Sequence, residues 1–196
     1  MEGFSAERVD RTVEFVLAAE DLLTPRSCAP SPVIAPALLQ RIVEDGSRAA
    51  EAETQQLWAG LLTASCRDAE QAESASSIAA LLSKLDSTHA LILGAACSRA
   101  MRAGWKSGFL LSHDLYCTAD EIRRITRLKN LVAIERHLHH LHFLGLIGET
   151  PRPLGCAQLE HVNITPTPLG LRFYSYCRAQ TDLPQALECT ELEMAS

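Results

Sequence analysis

Four histidines stand within six positions of one segment: His137, His139, His140 and His142. Neutral imidazoles three or four residues apart on a helix can share a metal ion, and the pairs 137/140 and 139/142 have that spacing. With Ile134 at the middle of the buried face, a rotation of about 100° per residue puts His137 and His142 on opposite borders of that face. The same rotation puts His139 and His140 on the outer side, so the four side chains do not converge on one ion. We therefore predict no metal and no cofactor.

A second pattern with catalytic residue types is Ser112-His113-Asp114. Consecutive side chains point apart, whereas a working Ser-His-Asp triad is assembled in space from distant segments. A loop or a helix cap is the better interpretation. The chain also lacks Gly-x-Ser-x-Gly, a phosphate-binding glycine loop and His-Glu-x-x-His. We predict that the protein is not an enzyme and has no small-molecule substrate.

A third set of side chains is suited to macromolecular contacts. In a helix-turn-helix the second helix enters the DNA major groove, and residues of the preceding helix and turn reach phosphates. The residues in these positions are Arg123, Arg124, Arg127, Lys129, Arg136, His139 and His140. The alternative is a solvated face whose charge is balanced by acidic neighbours, because a fold does not fix a function. These seven residues are our candidates for contact with nucleic acid or a protein partner.

The elements that must position these residues are a pair of helices. Thr118 with Glu121 three residues later predicts a capping box at the start of a short helix over 119–126. A longer helix is predicted over 129–144. Gly145, in the sequence Leu-Gly-Leu-Ile, fits the position after a helix that needs a left-handed backbone.

The sequence after this helix pair predicts a winged helix. Residues 149–155, with two prolines, are predicted to form a wing loop, and 159–165 alternates well enough for a strand. A last helix is predicted from Pro168 or Leu169 to Arg178. The stretch 104–117 is compatible with a loop containing a short extended segment or with the first strand of the wing. We assign residues 104–180 to this winged-helix domain.

The preceding part of the chain predicts a compact helical domain over 37–103. Apolar residues recur at helical spacing in four segments, the first of which is expected to stop near Asp45-Gly46. The four predicted helices cover 37–45, 50–66, 74–85 and 89–102. The predicted fold class is therefore mainly α, with an N-terminal helical domain followed by a winged helix-turn-helix with a small β-wing.

The two ends of the chain differ from these domains. An amphipathic helix over 6–23 is predicted to form an N-terminal arm within residues 1–24. Residues 25–36 are a proline-rich linker, with Pro36 expected in the first turn of the next helix. Residues 181–196 are acidic and poorly patterned, which predicts a loosely ordered tail.

Composition and charge narrow the function classes. The net charge is −6, but residues 101–180 carry 10 basic and 6 acidic side chains, so the predicted winged-helix region is basic within an acidic protein. Nonspecific nucleic-acid affinity comes mainly from phosphate neutralisation, so the acidic protein as a whole is not expected to bind nucleic acid indiscriminately. A local basic face would still allow binding. The seven cysteines are scattered without a Cys-x-x-Cys pair, which predicts reduced, mainly buried thiols. The apolar runs are far shorter than the roughly 20 residues that span a bilayer, so we predict a cytoplasmic protein without a membrane contact.

Four segments carry a resemblance, in the order in which they occur. They run from Glu53 to Ala64, from Ile78 to Leu93, from Leu141 to Ile147 and from Thr167 to Phe173. This ordered set resembles the abortive-infection alpha family, over about residues 32–178. The resemblance implies a cytoplasmic, mainly helical bacterial protein linked to phage defence, with no established reaction and no catalytic residues.

These observations together predict a non-enzymatic protein of abortive-infection type that acts through macromolecular contacts of its helical domain and winged helix. A protein partner or self-association through the N-terminal arm is expected. The alternative is a winged-helix regulator that binds DNA through the 119–144 helix pair.

Overall fold

The computed structural model of the chain describes residues 34–67, 71–104, 114–148 and 161–178, together with Val13 and Leu17. The chain divides into two compact units, of which the first holds residues 1–87 and 176–180 and the second holds 88–175 and 181–196. The predicted wing loop, the acidic tail and Ser112-His113 lie outside the described residues, as does most of the N-terminal arm. Val13 and Leu17 are helical and about half exposed.

The first unit contains three helices, α1 (Pro36–Arg48), α2 (Ala52–Arg67) and α3 (Gln71–Leu82). Each of the three contacts the other two. Their buried apolar side chains form a common core, because residues three and four apart on each helix share a face. The core side chains include Leu38, Ile42, Leu57, Trp58, Leu61, Ile78 and Leu82.

The bounds of these helices correct two predictions. Pro36 occupies the first turn of α1 as expected, but α1 continues through Gly46 to Arg48 instead of ending near Asp45-Gly46. Gly46 and Ser47 are buried, so tertiary packing outweighs the low helix propensity of glycine. The third helix was predicted over 74–85, but α3 spans Gln71–Leu82 and so begins and ends three residues earlier. After Leu82 the chain continues in a tighter turn, in which the N–H of Leu85 donates to the carbonyl of Leu82.

The second unit is built around a helix pair and a short ribbon. Its elements are α4 (Ser87–Gly104), β1 (Tyr116–Thr118), α5 (Ala119–Thr126), α6 (Leu131–Phe143), β2 (His161–Asn163) and α7 (Pro168–Cys177). The first residue of α4 and the last two of α7 fall in the first unit. The two strands pair antiparallel, with Cys117 opposite Val162. Strand β1 leads directly into α5, and α5 contacts α6.

Local chemistry fixes both ends of this helix pair. Thr118 and Glu121 form the predicted capping box, and the predicted bounds of α5 are confirmed. Helix α6 begins at Leu131, two residues later than predicted, because the side chain of Asn130 accepts from the N–H of Val132 and caps it there. The backbone of Gly145 has φ +71°, which confirms the predicted left-handed residue after α6.

The corner after α6 and the start of α7 hold each other in place. The hydroxyl of Thr167 donates to the carbonyl of Gly145 and accepts from the N–H of Gly170, so it caps α7. The N–H of Thr167 donates to the carbonyl of Leu146 at 3.1 Å. The Leu-Gly-Leu-Ile corner and the start of α7 at Thr167, which lie in two segments of the family resemblance, therefore form one structural feature.

The described part of the chain is mainly helical, with seven helices and one two-stranded sheet. This confirms the mainly α fold class. Among the described residues, no helix is both long enough and apolar enough to cross a membrane.

Candidate functional site

The basic side chains of α5 and the following turn differ in their surroundings. Arg123 forms an ion pair with Asp120, with 2.9 Å between Nη1 and Oδ1, so part of its charge is neutralised on its own helix. Arg124 is exposed. Arg127 is exposed too and ends α5 in the left-handed conformation, with φ 59°. Helix α5 and the turn after it therefore carry at least two exposed cationic side chains.

Helix α6 presents a continuous exposed stripe, which we call the outer α6 face: Val132, Arg136, His139 and Phe143. These positions follow one another at steps of four, three and four residues, which places them within about 60° of one another around the helix. Val132 is 59% exposed and Phe143 is 85% exposed. An apolar side chain at each end therefore flanks a cationic and an imidazole side chain in the middle.

The remaining candidates lie close to this face. Lys129 is exposed in the turn before α6, and His140 is exposed on α6 beside His139. The Nε2 atom of His139 lies 3.9 Å from Oε1 of Glu135, at the outer limit of an ion pair. The seven candidate residues thus occupy α5, α6 and the turn that joins them.

Two of the four histidines of α6 lie beside His89 of α4, a cluster that the sequence analysis did not predict. Nδ1 of His137 lies 3.3 Å from Nε2 of His89 on α4. The ring of His140 is also near, with its centroid 4.8 Å from that of His89. We call His89, His137 and His140 the histidine cluster. His140 is exposed, as predicted.

Burial differs across this cluster. His89 is 6% exposed in the first turn of α4, His137 is half-buried and His140 is exposed. The cluster thus runs from the interior of the second unit to its surface. Asp86 directly precedes α4, so an acidic side chain stands three residues before His89 in the chain.

A second polar group of the unit joins α4 to the start of α5. Nη1 of Arg99 donates to Sγ of Cys117 at 2.7 Å, and Nη2 lies 3.5 Å from a carboxylate oxygen of Glu121. Burial raises the pKa of the Cys117 thiol, and the Arg99 guanidinium opposes that rise. The hydrogen bond from the Thr118 backbone N–H lowers the pKa of Glu121. This arrangement holds β1 and α5 against α4.

Sequence reasoning missed His89 and Arg99 because both lie on a helix that was interpreted only as core. The available signal was a histidine at the beginning of an apolar helix, His89 before Ala90 and Leu91. That signal does not identify the partner, because His137 is 48 positions further along the chain.

Comparisons with known proteins give one match. A family model described as abortive infection alpha matches residues 7–177, which includes every helix from α1 to α7. No curated protein and no solved structure matches the chain.

Proposed function

The chain belongs to the abortive infection alpha family, and from that premise we propose that it is a non-enzymatic bacterial protein of phage defence that acts by binding another macromolecule. The match over residues 7–177 is the observation that carries this proposal. The helices of both units fall within the matched range, so the proposal concerns the chain as a whole.

The outer α6 face supports a protein partner as the first choice. Large exposed apolar side chains cost solvation free energy, and exposed apolar groups rimmed by polar ones are typical of protein interaction sites. Phe143 and Val132 have this character, with Arg136 and His139 between them. Aromatic and arginine side chains also dominate the energetics of protein interfaces.

A phage challenge tests the defence function. Cells that express the protein are infected with a broad phage panel, and plaque number, phage yield and survival of infected cells are measured. We expect fewer phage per infected cell with the wild type and a loss of this effect in the double variant Val132→Ser, Phe143→Ser. The matched control is Leu39→Ser on α1, also an exposed apolar residue, which should keep the effect. An inactive wild type against the whole panel, or an active double variant, would contradict the proposal.

Self-association through the N-terminal arm is the second part of this proposal. The helical residues Val13 and Leu17 are four positions apart and about half exposed, which suits an apolar contact with a second copy. Light scattering on the full chain and on a variant lacking residues 1–30 measures the oligomer. We expect an oligomer for the full chain and a monomer for the shortened one, and a monomeric full chain would contradict this part.

DNA binding is the second candidate function. Four exposed cationic side chains, Arg124, Arg127, Lys129 and Arg136, favour it. In this interpretation α5 and α6 act as a helix-turn-helix, α6 enters the major groove, and β1 and β2 form the base of a wing. The excess of basic side chains in residues 101–180 supplies the local positive charge.

Fluorescence anisotropy of labelled duplex DNA at two salt concentrations tests this candidate. Four phosphate contacts predict a salt slope of about −3.6, so affinity should fall roughly a hundredfold between 50 and 200 mM salt. Reversing Arg124, Arg127 and Arg136 to Glu should abolish binding. The matched control reverses Arg41, Arg48 and Lys84, which are exposed on the first unit, and changes the net charge equally. Equal losses in both variants, or no binding at low salt, would contradict DNA binding by the helix pair.

A further inference from the structure

The outer α6 face combines an unpaired cation with exposed apolar side chains. Within the described parts of the chain, the guanidinium of Arg136 makes no ion pair and no hydrogen bond with another side chain. Val132 and Phe143 flank it with 59% and 85% of their surface exposed. Phosphate groups of nucleic acid would satisfy the charge and leave both apolar side chains in water. The face is therefore better suited to a polypeptide that carries carboxylates and apolar side chains together.

The last segment of the chain has this composition. Residues 181–196 hold four acidic and no basic side chains. Leu187 and Glu188, followed by Glu191 and Leu192, give the order apolar, acidic, acidic, apolar. The outer α6 face has the order apolar, cationic, imidazole, apolar. We propose that segment 181–196 docks on the outer α6 face of its own chain, in competition with a partner. This inference rests on the proposed function, which offers the same face to a protein.

The spacing of the apolar side chains agrees between the face and the segment. Val132 and Phe143 are eleven residues apart on a helix, which separates them by about 16 Å along its axis. Leu187 and Leu192 are five residues apart, and five residues of extended chain span at most about 18 Å. One apolar side chain of the segment can therefore lie against each end of the face.

The segment is also long enough to reach the face. The start of α7 lies beside the corner after α6, because a Cβ atom on Gly145 would lie 3.7 Å from Cδ2 of Leu169. The rest of α7 is about 12 Å long. Residues 178–187 span up to about 33 Å when extended. This length exceeds the way back along α7 to the corner, so Leu187 can reach the end of the face at Phe143.

This direction fixes the remaining contacts. With Leu187 at the Phe143 end, Leu192 lies at Val132, and Glu191 comes beside the unpaired guanidinium of Arg136. Because the segment belongs to the same chain, its effective concentration at the face is on the order of millimolar, so weak contacts suffice to occupy the face. The outer α6 face of a second copy offers no carboxylate to Arg136, so two such faces do not complement each other.

Carbodiimide coupling of the full chain tests the docking. The chain has three lysines, Lys84, Lys106 and Lys129. The variant Arg136→Lys keeps the positive charge and adds an amine, which forms an amide bond with a touching carboxylate when carbodiimide takes up the water. We expect mass spectrometry to find residue 136 joined to Glu188 or Glu191. A mixture of isotopically light and heavy protein should show that both ends of this cross-link belong to one chain.

Further variants in the Arg136→Lys background separate docking from random collision. Val132→Ser with Phe143→Ser should lower the yield of the cross-link at least about fivefold, because apolar burial then no longer holds the segment. Leu39→Ser, an exposed apolar position on α1, is the matched control and should leave the yield unchanged. Salt at about 0.5 M should lower the yield as well, because it screens exposed charges. Circular dichroism checks that each variant is folded.

Four outcomes would overturn the proposal: no cross-link from residue 136 to segment 181–196, cross-links mainly between chains, an equal yield from the exposed Lys84, or equal losses in the serine variants. The coupling uses purified protein without phage, so its failure is distinct from that of the proposed function. A cross-link in a protein without any effect on phage would reject the proposed function and support the docking. A protein that defends without the cross-link would do the reverse.

Discussion

Gly170 in the first turn of α7 lies against the backbone of the corner that follows α6. A Cβ atom at this position would lie 2.0 Å from the carbonyl oxygen of Leu146 and 2.9 Å from its carbonyl carbon. Leu146 cannot easily move away, because its carbonyl accepts from the N–H of Thr167 and its N–H donates to the carbonyl of Leu141. The absence of a side chain at residue 170 thus sets how closely α7 approaches this corner.

Gly170→Ala is expected to destabilise the protein by about 1–3 kcal/mol, the usual cost of forcing extra atoms into a packed region. Gly94→Ala on α4 is the matched comparison, because its Cβ would lie 3.5 Å from the hydroxyl of Tyr174, an ordinary contact. Alanine there should stabilise by up to about 1 kcal/mol through its higher helix propensity. Urea unfolding followed by circular dichroism measures both changes. Equal effects of the two substitutions would refute the argument from close approach.

The capping box at the start of α5 makes the free energy of unfolding depend on pH. The carboxylate of Glu121 accepts from the backbone N–H of Thr118 at 2.8 Å. That hydrogen bond is the main reason why the pKa of Glu121 lies below its ordinary value of 4.5, with smaller contributions from Arg99 and Arg124. A lowered pKa in the folded state means that folding favours the ionised carboxylate.

The stabilising effect of this ionisation is therefore full above pH 4.5 and is lost as the pH falls through the lower pKa of the folded state. Glu121→Gln removes the ionisation but keeps an oxygen that can accept from Thr118. We expect the wild type to be more stable than this variant at pH 7, and the difference in unfolding free energy to shrink as the pH falls below 4.5. Urea titrations at pH 7, 5 and 4 check this. A difference that stays constant or grows toward low pH would exclude the explanation.

Elements fixed by local chemistry could be predicted from the sequence. The start of α5 depends on the side chains of Thr118 and Glu121, which are three residues apart, and the left-handed residue after α6 depends on Gly145. The end of α1 was predicted wrongly because the sequence Asp45-Gly46 is a stop signal only where no neighbouring element buries the glycine. Capping is decided within one turn, whereas burial depends on the packing partner.

The candidate site likewise has one part that could be predicted from the sequence and one part that could not. Exposed positions of the outer α6 face, such as Arg136 and His139, follow from helical periodicity once Ile134 is placed in the core, and Ile134 is indeed fully buried. The approach of His89 to His137 was not predictable. It depends on how α4 packs against α6, and no pattern within either segment specifies that packing.

Both units contain cysteines, and the burial of each thiol shows how closely the side chains pack around it. Cys97 in the second unit and Cys177 in the first are fully buried, and burial raises the pKa of each thiol. Because the thiolate is the reactive form and needs access to solvent, neither thiol can react in the folded protein. Cys66 is half-buried, so it differs from both in access.

Alkylation followed by mass spectrometry measures this difference in solvent access between Cys66 and the two buried thiols. In buffer at neutral pH, Cys66 should be labelled while Cys97 and Cys177 stay unmodified, and in strong denaturant all three should react. With rising urea we expect Cys97 and Cys177 to become reactive over the same concentration range, because α7 is one continuous helix whose residues are shared between the two units. Labelling of a buried thiol requires the structure around it to open, so its rate measures the stability of that unit. Reaction of Cys177 at a lower urea concentration than Cys97 would show that the first unit unfolds on its own.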